Sequence, residues 1–187
     1  MESKAKILGH PIHPILIVFP LGLLSTSVIF DLVALVSHDP RWAEFATYLA
    51  AAGVVGGLLA AVPGTIDWLA IPRGTRAKRI GLIHGVGNVV VVALFLVNWL
   101  LRRDTPAEPP TGSVAAGLIG LGLALVTGWL GGELVDRLGV GVDDGANLDA
   151  PSSLSGRSAR AGRWTGPERR HFSQPAYAGA ERRGRGV

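Results

Sequence analysis

Four stretches of the chain contain no Asp, Glu, Lys or Arg, and they limit most strongly what this chain can fold into. They cover residues 14–30, 45–66, 80–101 and 111–132. Each approaches the roughly 20 apolar residues that an α-helix needs to cross about 30 Å of hydrocarbon. Because 48% of the residues are apolar, we expect an all-α integral membrane four-helix bundle. Its predicted spans are about 14–36, 45–70, 80–101 and 112–132.

The composition changes after residue 142. Residues 146–187 contain eight arginines against three acidic residues, a charge of plus five, whereas the preceding 145 residues carry minus one. A segment rich in Arg, Gly, Ser and Pro cannot bury enough apolar surface to become ordered. We therefore expect a membrane domain over 1–142 and a disordered Arg-rich tail over 143–187, held near anionic lipid headgroups. Trp164, Phe172 and Tyr177 would add contacts there. The basic charge belongs to the tail, so no nucleic-acid partner is expected.

The chain contains no cysteine, so it forms no disulfide, thiolate metal site or iron–sulfur cluster with its own ligands. A metal would have to be bound by His, Asp or Glu. Lys4 and Lys6 precede the first apolar run as in a signal peptide, but that run is long and no small-x-small cleavage site follows it. We read it as a retained helix.

Basic residues beside the spans predict the orientation. Seven lie on one side and three on the other: Lys4, Lys6, Arg73, Arg76, Lys78, Arg79 and Arg137 against Arg41, Arg102 and Arg103. Since basic residues concentrate on the cytoplasmic side, we expect a multi-pass protein of the bacterial plasma membrane with both termini in the cytoplasm.

Small residues recur every four positions in two spans: Gly53, Gly57 and Ala61 in the second, and Gly120, Ala124, Gly128 and Gly132 in the fourth. Such stripes let membrane helices approach closely, so a compact bundle is expected. Pro63-Gly64 should kink or end the second span, freeing carbonyls that neighbouring groups or water must satisfy.

The first span is preceded by the sequence Gly9-His10-Pro11-Ile12-His13-Pro14. A residue before proline is pushed toward extended backbone, so we expect neither histidine to lie within a helix. Pro14 suits the first helical position, which makes His13 an approximate N-cap and puts His10 in an extended lead-in. Histidines are costly beside hydrocarbon and commonly bind haem iron and other metals. The rings could turn inward over the bundle or outward to water.

Other polar residues fall at the same predicted membrane face. His84 and Asn88 are one helical turn apart and share a helix face. Candidate metal ligands are His10, His13, His84, Asp67 and Glu133, and candidate cofactor-binding residues are His10, His13, His84, Arg73, Arg76 and Asn88. The structural alternatives are an interhelical hydrogen bond for His84 and a loop ion pair with Arg73 or Arg76 for Asp67. Asp31, near the opposite face, is read as an interfacial acid or a polar group in helix packing.

These motifs resemble a bacterial membrane family catalogued as domain of unknown function 2231. The resemblance covers roughly residues 7–142 and rests on the Gly-His-Pro-x-His-Pro opening, on Phe19-Pro20 and Phe30-Asp31, on Pro63-Gly64-Thr65-Ile66-Asp67-Trp68, on His84 with Asn88, and on Gly128-Trp129-Leu130-Gly131-Gly132-Glu133-Leu134. It implies a four-helix membrane bundle, and the fusion of some relatives to Rieske-type domains implies redox work.

This chain departs from that family at one point. Relatives tend to read Tyr-Arg-His-Gly-Val-Gly-Val after the last span, whereas residues 136–142 read Asp-Arg-Leu-Gly-Val-Gly-Val. If that histidine is a ligand in relatives, this member lacks it. The tail also has no Cys-x-His box, so an iron–sulfur partner would be another protein.

The leading hypothesis is a haem b in the cytoplasmic half of the bundle, serving membrane electron transfer. His84 would be one axial ligand and His13 or His10 the other, with Arg73 or Arg76 at the propionates. The variant is iron or zinc bound by the histidines with Glu133 or Asp67. The alternative is a non-catalytic scaffold or accessory subunit without a cofactor, and transport ranks lowest.

A stand-alone enzyme is not favoured, because the chain has no Gly-x-Ser-x-Gly or His-Glu-x-x-His motif. The expected partners are membrane lipids, a redox protein and further copies of the chain.

Overall fold

The computed structural model of the protein describes residues 1–162. Its first 142 residues form one unit in which the helices are α1 (Ile12–Leu16), α2 (Val18–Ser37), α3 (Pro40–Ala70), α4 (Arg76–Arg102) and α5 (Thr111–Gly132), followed by a π-helical turn (Glu133–Arg137). Four helical segments in the described chain are long and apolar enough to cross a membrane, with α1 and α2 counting as one. The prediction of an all-α membrane bundle is confirmed.

The four spans pair as two helical hairpins. α2 packs mainly on α3, and α4 packs mainly on α5, while α3 and α4 join the two pairs. The N-terminal segment, the end of α3, the start of α4 and the end of α5 lie at one end of the bundle, as the hydrogen bonds from Met1 to Gly139 and from Ser3 to Asp67 show. We call this the histidine end. The opposite end contains the turn between α2 and α3 and the segment between α4 and α5.

The helix boundaries follow from capping chemistry. Asp39 is the N-cap of α3 and accepts a hydrogen bond from the Arg41 backbone N–H, and Pro40 occupies the first turn. α3 therefore begins before the uncharged window that predicted it. Hydrogen bonds from the Arg41 side chain and backbone hold the pKa of the Asp39 carboxyl below its usual range. Thr75 caps α4 in the same way, through the Lys78 N–H.

The entry into the first span differs from the prediction in one respect. α1 begins at Ile12 with Pro11 as its N-cap, so His13 lies inside the first helical turn, and the expectation that it stays outside the helix was wrong. Residues of a first turn have no intrahelical partner for their N–H groups, so Pro14 removes no hydrogen bond there. His10 lies in an extended strand, as predicted.

That strand belongs to a small antiparallel hairpin. β1 (Lys6–Ile7) pairs with β2 (His10–Pro11), and Ile7 lies opposite His10. The Ile12 N–H continues the ladder by donating to the Ala5 carbonyl at 2.9 Å. The hairpin fixes the direction in which the chain enters α1.

Pro63 lies inside α3, and the helix continues to Ala70. Of the two predicted effects of Pro63-Gly64, a kink or an end of the second span, the end does not occur. Pro63 has no N–H for the Leu59 carbonyl four residues earlier, and the next two carbonyls lie within hydrogen-bond distance of side chains. Nδ1 of His13 is 2.8 Å from the Ala60 carbonyl oxygen, and Oγ1 of Thr65 donates to the Ala61 carbonyl at 2.8 Å. Neighbouring side chains stabilise the turn that proline weakens.

Apolar side chains fill the middle of the bundle. The buried cluster consists of Leu24, Val28, Val54, Val91 and Phe95. The small-residue stripes contribute unevenly to its packing. Gly53 lies against Leu24 and Gly120 against Phe95, each too close for a β-carbon, whereas a β-carbon on Gly128 or Gly132 would meet no atom within 4 Å. Only part of the stripe on α5 lies against another helix.

Residues 143–162 belong to a second unit. They contain 3-10 turns at Ser153–Ser155 and Ala159–Ala161. Nδ2 of Asn147 donates to the Ala159 carbonyl at 2.7 Å, and Arg160 pairs with Asp144. The tail prediction for residues 163–187, including Trp164, Phe172 and Tyr177, lies outside the described residues.

Candidate histidine site

Two of the predicted histidines meet at the histidine end of the bundle. The ring centroids of His13 on α1 and His84 on α4 are 6.4 Å apart, and the ring planes are nearly perpendicular, at 86°. Both side chains are half-buried. The rings therefore turn inward toward each other, which the sequence left open.

Each ring is held by its Nδ1 atom. Nδ1 of His13 lies 2.8 Å from the Ala60 carbonyl oxygen on α3, and Nδ1 of His84 lies 2.8 Å from the Thr127 carbonyl oxygen on α5. A carbonyl oxygen only accepts hydrogen bonds, so Nδ1 must carry the proton in both rings. In the neutral tautomer the lone pair is then on Nε2, on the side of each ring away from the helix that anchors it. Metal-binding histidines are commonly oriented in this way.

Asn88 lies over the face of the His84 ring. Its Nδ2 atom is 3.1 Å from Nε2 and 3.4 Å from Nδ1 of that ring. An amide nitrogen on the in-plane lone pair of Nε2 would be about 5 Å from Nδ1, so Asn88 does not occupy that lone pair. Oδ1 of Asn88 accepts from Oγ1 of Thr127 at 2.9 Å. Asn88 thus links α4 to α5 and leaves Nε2 available as a ligand.

A glycine provides the space for each ring. A β-carbon on Gly64 would lie 2.8 Å from Nδ1 of His13, and one on Gly131 would lie 3.2 Å from Cε1 of His84. Real β-carbons do not approach a neighbour as closely as the first distance. Both glycines stand in the motifs that carried the family resemblance, but the sequence did not reveal their contact with the histidines.

Asp67 binds the N-terminal segment. Its carboxylate accepts from Oγ of Ser3 at 2.7 and 2.8 Å, from the Lys4 N–H at 2.6 Å and from the Ala5 N–H at 3.2 Å. These donors come from residues near the start of the chain. Two of them are backbone N–H groups, which every residue except proline has, so the sequence does not predict this contact. The predicted loop pair with Arg73 or Arg76 is not what holds this carboxylate.

The remaining candidates lie apart from the histidine pair or have other partners. Oε1 of Glu133 lies 2.6 Å from Nη2 of Arg76 in an ion pair that joins the end of α5 to the start of α4. Arg73 is exposed in the turn before α4, and His10 is exposed in β2. Within residues 1–162, no group of three or more His, Asp or Glu side chains is placed to hold a metal ion. The five proposed metal ligands therefore do not form one cluster.

Trp68 and Lys78 join α3 to α4 at the same end. Nε1 of Trp68 donates to the Lys78 carbonyl at 3.2 Å, and Nζ of Lys78 donates to the Trp68 carbonyl at 2.6 Å. The ammonium group is 4.0 Å from the indole centroid, a distance typical of a cation–π contact. A β-carbon on Gly81 would lie 2.8 Å from Cδ1 of Trp68. This contact fixes the turn between the two hairpins.

A buried ion pair lies toward the opposite end. Nη1 of Arg102 donates to Oδ2 of Asp31 at 2.8 Å, and Nη2 is 2.7 Å from Oδ1. Nη2 also donates to the Ala43 carbonyl at 2.7 Å. The two residues are 0% and 3% exposed, respectively. Of the two readings of Asp31, the helix-packing one describes its position, and Arg102 is a buried partner, although the sequence treated it as a flanking base.

These observations define a class: a multi-pass helical membrane protein with polar contacts at both ends of a four-span bundle. The family model described as "Predicted membrane protein (DUF2231)" matches residues 9–144, and the chain belongs to that family. This confirms the resemblance inferred from the motifs. Comparisons with curated proteins and with solved structures give no match.

Proposed function

We propose that His13 and His84 bind a haem b through their Nε2 atoms and that the protein takes part in membrane electron transfer. The observation that carries this proposal is the paired geometry. Both rings are anchored through Nδ1, and their centroids are 6.4 Å apart. Two imidazoles on opposite sides of one metal ion, each with Nε2 about 2 Å from the metal, have ring centres roughly 6–6.5 Å apart.

The number of protein donors favours haem over a bare ion. A protein-bound zinc or iron ion usually takes three or four ligands from His, Asp, Glu or Cys. Within the described residues the pair has no third such donor in reach. A porphyrin supplies four nitrogen ligands itself and needs only two axial ones. Two histidines without a carboxylate therefore match a haem better than the iron or zinc variant.

The surrounding residues would position the ligands. The carbonyls of Ala60 and Thr127 fix the tautomer, and the amide of Asn88 over the His84 ring limits its rotation. Bound haem would supply reversible one-electron chemistry at iron. Arg73 is exposed at this end and would face the propionates more readily than Arg76, whose guanidinium already pairs with Glu133.

The apolar middle of the bundle argues against ion or proton translocation. Leu24, Val91 and Phe95 pack between the histidine pair and the buried ion pair, and each is at most 5% exposed. A transport route needs polar groups near the middle of the membrane. Electron transfer needs no such continuous polar path.

The positive-inside distribution supports a cytoplasmic position for the histidine end. The redox partner would then dock from the cytoplasm, and lipids would surround the spans. Because the chain lacks cysteine, an iron–sulfur donor or acceptor would be a separate protein.

A second candidate function also has a specific observation in its favour. Each histidine already joins two helices through a hydrogen bond to a carbonyl, and the bond from His13 supports the helix beside Pro63. A membrane scaffold or accessory subunit without a cofactor would use the same contacts. The two proposals differ in the role of Nε2, which binds iron in the haem protein and binds no metal in the scaffold.

Asparagine substitution separates them. Nδ2 of Asn can donate where Nδ1 of His donates, but Asn has no atom in the place of Nε2. The full-length protein, His13→Asn and His84→Asn are purified in detergent after expression with haem precursors, and absorption and metal content are measured. His38→Asn is the matched control, since His38 lies at the opposite end with φ 56°, a conformation that Asn tolerates. Haem binding predicts a Soret band in the native protein and in the control, and its loss in both site variants. A scaffold shows neither Soret band nor bound metal in any of the four proteins.

A further inference from the structure

The two hairpins repeat one pattern of residues along their first helices. Four positions on α1 and α2 correspond to positions on α4 at a constant separation of 71 residues: His13 to His84, Leu24 to Phe95, Ser27 to Asn98, and Asp31 to Arg102. All but the histidines are buried, and the histidines are half-buried. Three of the buried positions of α2 therefore correspond to buried positions of α4.

The second helices follow a pattern of their own. Four positions on α3 correspond to positions on α5 at a constant separation of 67 residues: Ala46 to Ser113, Gly53 to Gly120, Ala60 to Thr127, and Gly64 to Gly131. The two separations differ by four residues because α2 and α3 extend farther beyond Asp31 and Ala46 than α4 and α5 extend beyond Arg102 and Ser113. Within each pair of corresponding helices, the separation is the same at all four positions.

The contacts repeat as well as the positions. In the first hairpin a histidine bonds to the carbonyl of Ala60 and packs on Gly64, and in the second a histidine bonds to the carbonyl of Thr127 and packs on Gly131. Near the middle, Leu24 packs on a glycine of α3 just as Phe95 packs on a glycine of α5. Leu24 and Phe95 differ in size, but the glycines that they contact occupy corresponding positions on α3 and α5.

Corresponding residues also meet each other across the bundle. His13 contacts His84, and Asp31 contacts Arg102. Residues that touch their own counterparts lie near a two-fold axis. Within each hairpin the histidine precedes the charged residue by 18 positions, which is about 27 Å along a helix. The axis therefore runs the length of the bundle, along the membrane normal, as in parallel repeats of membrane proteins.

We infer that the membrane domain is a duplicated helical hairpin and that the histidine site lies on its pseudo-two-fold axis. The site then takes a single metal-centred group, shared by two equivalent imidazole ligands, rather than one group for each hairpin. The ligand part of this inference rests on the proposed function. The repeat itself rests only on the positions and contacts above.

The repeat makes a prediction at the opposite end of the bundle. Arg102 donates to the Ala43 carbonyl, and the position on α5 that corresponds to Ala43 is occupied by Pro110, the N-cap of that helix. Its carbonyl already accepts from the N–H and Oγ of Ser113 at the first turn. An arginine at position 31 would therefore lie beside a carbonyl whose two lone pairs are already used, and an aspartate at position 102 would still complete the ion pair.

The first test exchanges the two charges in the full-length protein. Asp31→Arg, Arg102→Asp and the double variant Asp31→Arg/Arg102→Asp are compared with the native protein by thermal unfolding and by the monodisperse fraction in detergent. The repeat predicts that both single variants lose most of the monodisperse protein and that the exchange restores most of it. An exchange variant no better than the single variants overturns the repeat.

A neutral exchange provides the matched variant. In the native protein Nδ2 of Asn98 donates to the Ser113 carbonyl at 2.6 Å. Ala46 occupies the position on α3 that corresponds to Ser113. In Ser27→Asn/Asn98→Ser, the new amide at position 27 is therefore expected to donate to the Ala46 carbonyl. The repeat predicts a smaller loss of stability for this double variant than for Asn98→Ser alone. Equal losses in the two variants count against the repeat.

The second test concerns the shared ligand. The bound group is counted per chain by pyridine haemochrome assay and metal analysis, in the native protein and in His13→Asn and His84→Asn. A shared axial site predicts one haem per chain and a similar loss in both variants. Two groups per chain, or loss in one variant only, overturns the shared site. If the native protein binds neither haem nor metal, the proposed function is refuted. The charge exchange tests the repeat independently of that result.

Discussion

Replacing Gly64 by alanine tests how the histidine is seated. The added methyl group would lie 2.8 Å from Nδ1 and 2.9 Å from Cε1 of His13, so the ring must move away from α3. That movement breaks the 2.8 Å hydrogen bond to the Ala60 carbonyl. A lost hydrogen bond costs about 0.5–1.5 kcal/mol, and overpacking costs about 1–3 kcal/mol. Alanine is a better helix former than glycine by up to about 1 kcal/mol, so the expected net loss is about 0.5–4.5 kcal/mol.

Gly128→Ala is the matched control for this change. It lies in α5, and a β-carbon there would meet no atom within 4 Å, so only the gain in helix propensity remains. The free energy of unfolding of both variants is measured in detergent or bicelles by a reversible denaturation or steric-trapping assay. We expect Gly64→Ala to be destabilised and Gly128→Ala to be unchanged or slightly stabilised. Equal stabilities for the two variants would refute the seating of His13 on Gly64.

Three further predictions address other contacts. Arg102→Met should lower the free energy of unfolding by about 3–5 kcal/mol because it leaves Asp31 buried without its partner, and the double variant Asp31→Leu/Arg102→Met should recover much of that loss in the same unfolding assay. Asp67→Asn should release the N-terminal segment, because a carboxamide cannot replace all the bonds from Ser3, Lys4 and Ala5; faster amide exchange over residues 3–5 checks this, and unchanged exchange contradicts it. The pKa of the Asp39 carboxyl is lowered in the folded protein. Its hydrogen bond to the Arg41 N–H therefore stabilises α3 fully above the ordinary Asp pKa of about 4 and is lost as the pH falls through the lower folded pKa. We expect the rate of amide exchange at Arg41, compared with the rate in Asp39→Ala, to rise only in that acidic range.

The sequence predicts the membrane architecture well because the constraint behind it is strong. Hydrocarbon excludes charged residues over the length of a span, and the uncharged windows mark that length directly. Helix ends are less visible. α3 begins at Pro40 because Asp39 caps it, although Arg41 and Glu44 interrupt the apolar pattern. His13 likewise lies in a helical turn because prolines are tolerated in first turns.

The candidate site was predictable only in part. The opening motif and His84 identify the histidines, and the topology brings them to one end of the bundle. The partners of Asp67 are a hydroxyl and backbone N–H groups of a distant segment, which no spacing reveals. Arg102 looked like a flanking base because a single sequence does not distinguish an exposed terminal arginine from one buried against Asp31.

The internal repeat shows why the pattern was hard to find in the sequence. Corresponding positions carry residues of different size or charge, such as Leu24 with Phe95 and Asp31 with Arg102. Asp31 and Arg102 contact each other and must have opposite charges, so a comparison of residue types does not reveal that their positions correspond. The histidines and the glycines that seat them kept their identity.

The absorption spectrum of the full-length protein, purified after expression with haem precursors, tests the central claim most directly. We predict a Soret band with the low-spin features of two axial imidazoles, at one haem per chain, that disappears in His13→Asn and in His84→Asn and persists in His38→Asn. A folded, monodisperse protein with no Soret band, or a band that survives both site substitutions, would contradict the assignment of His13 and His84 as the ligands.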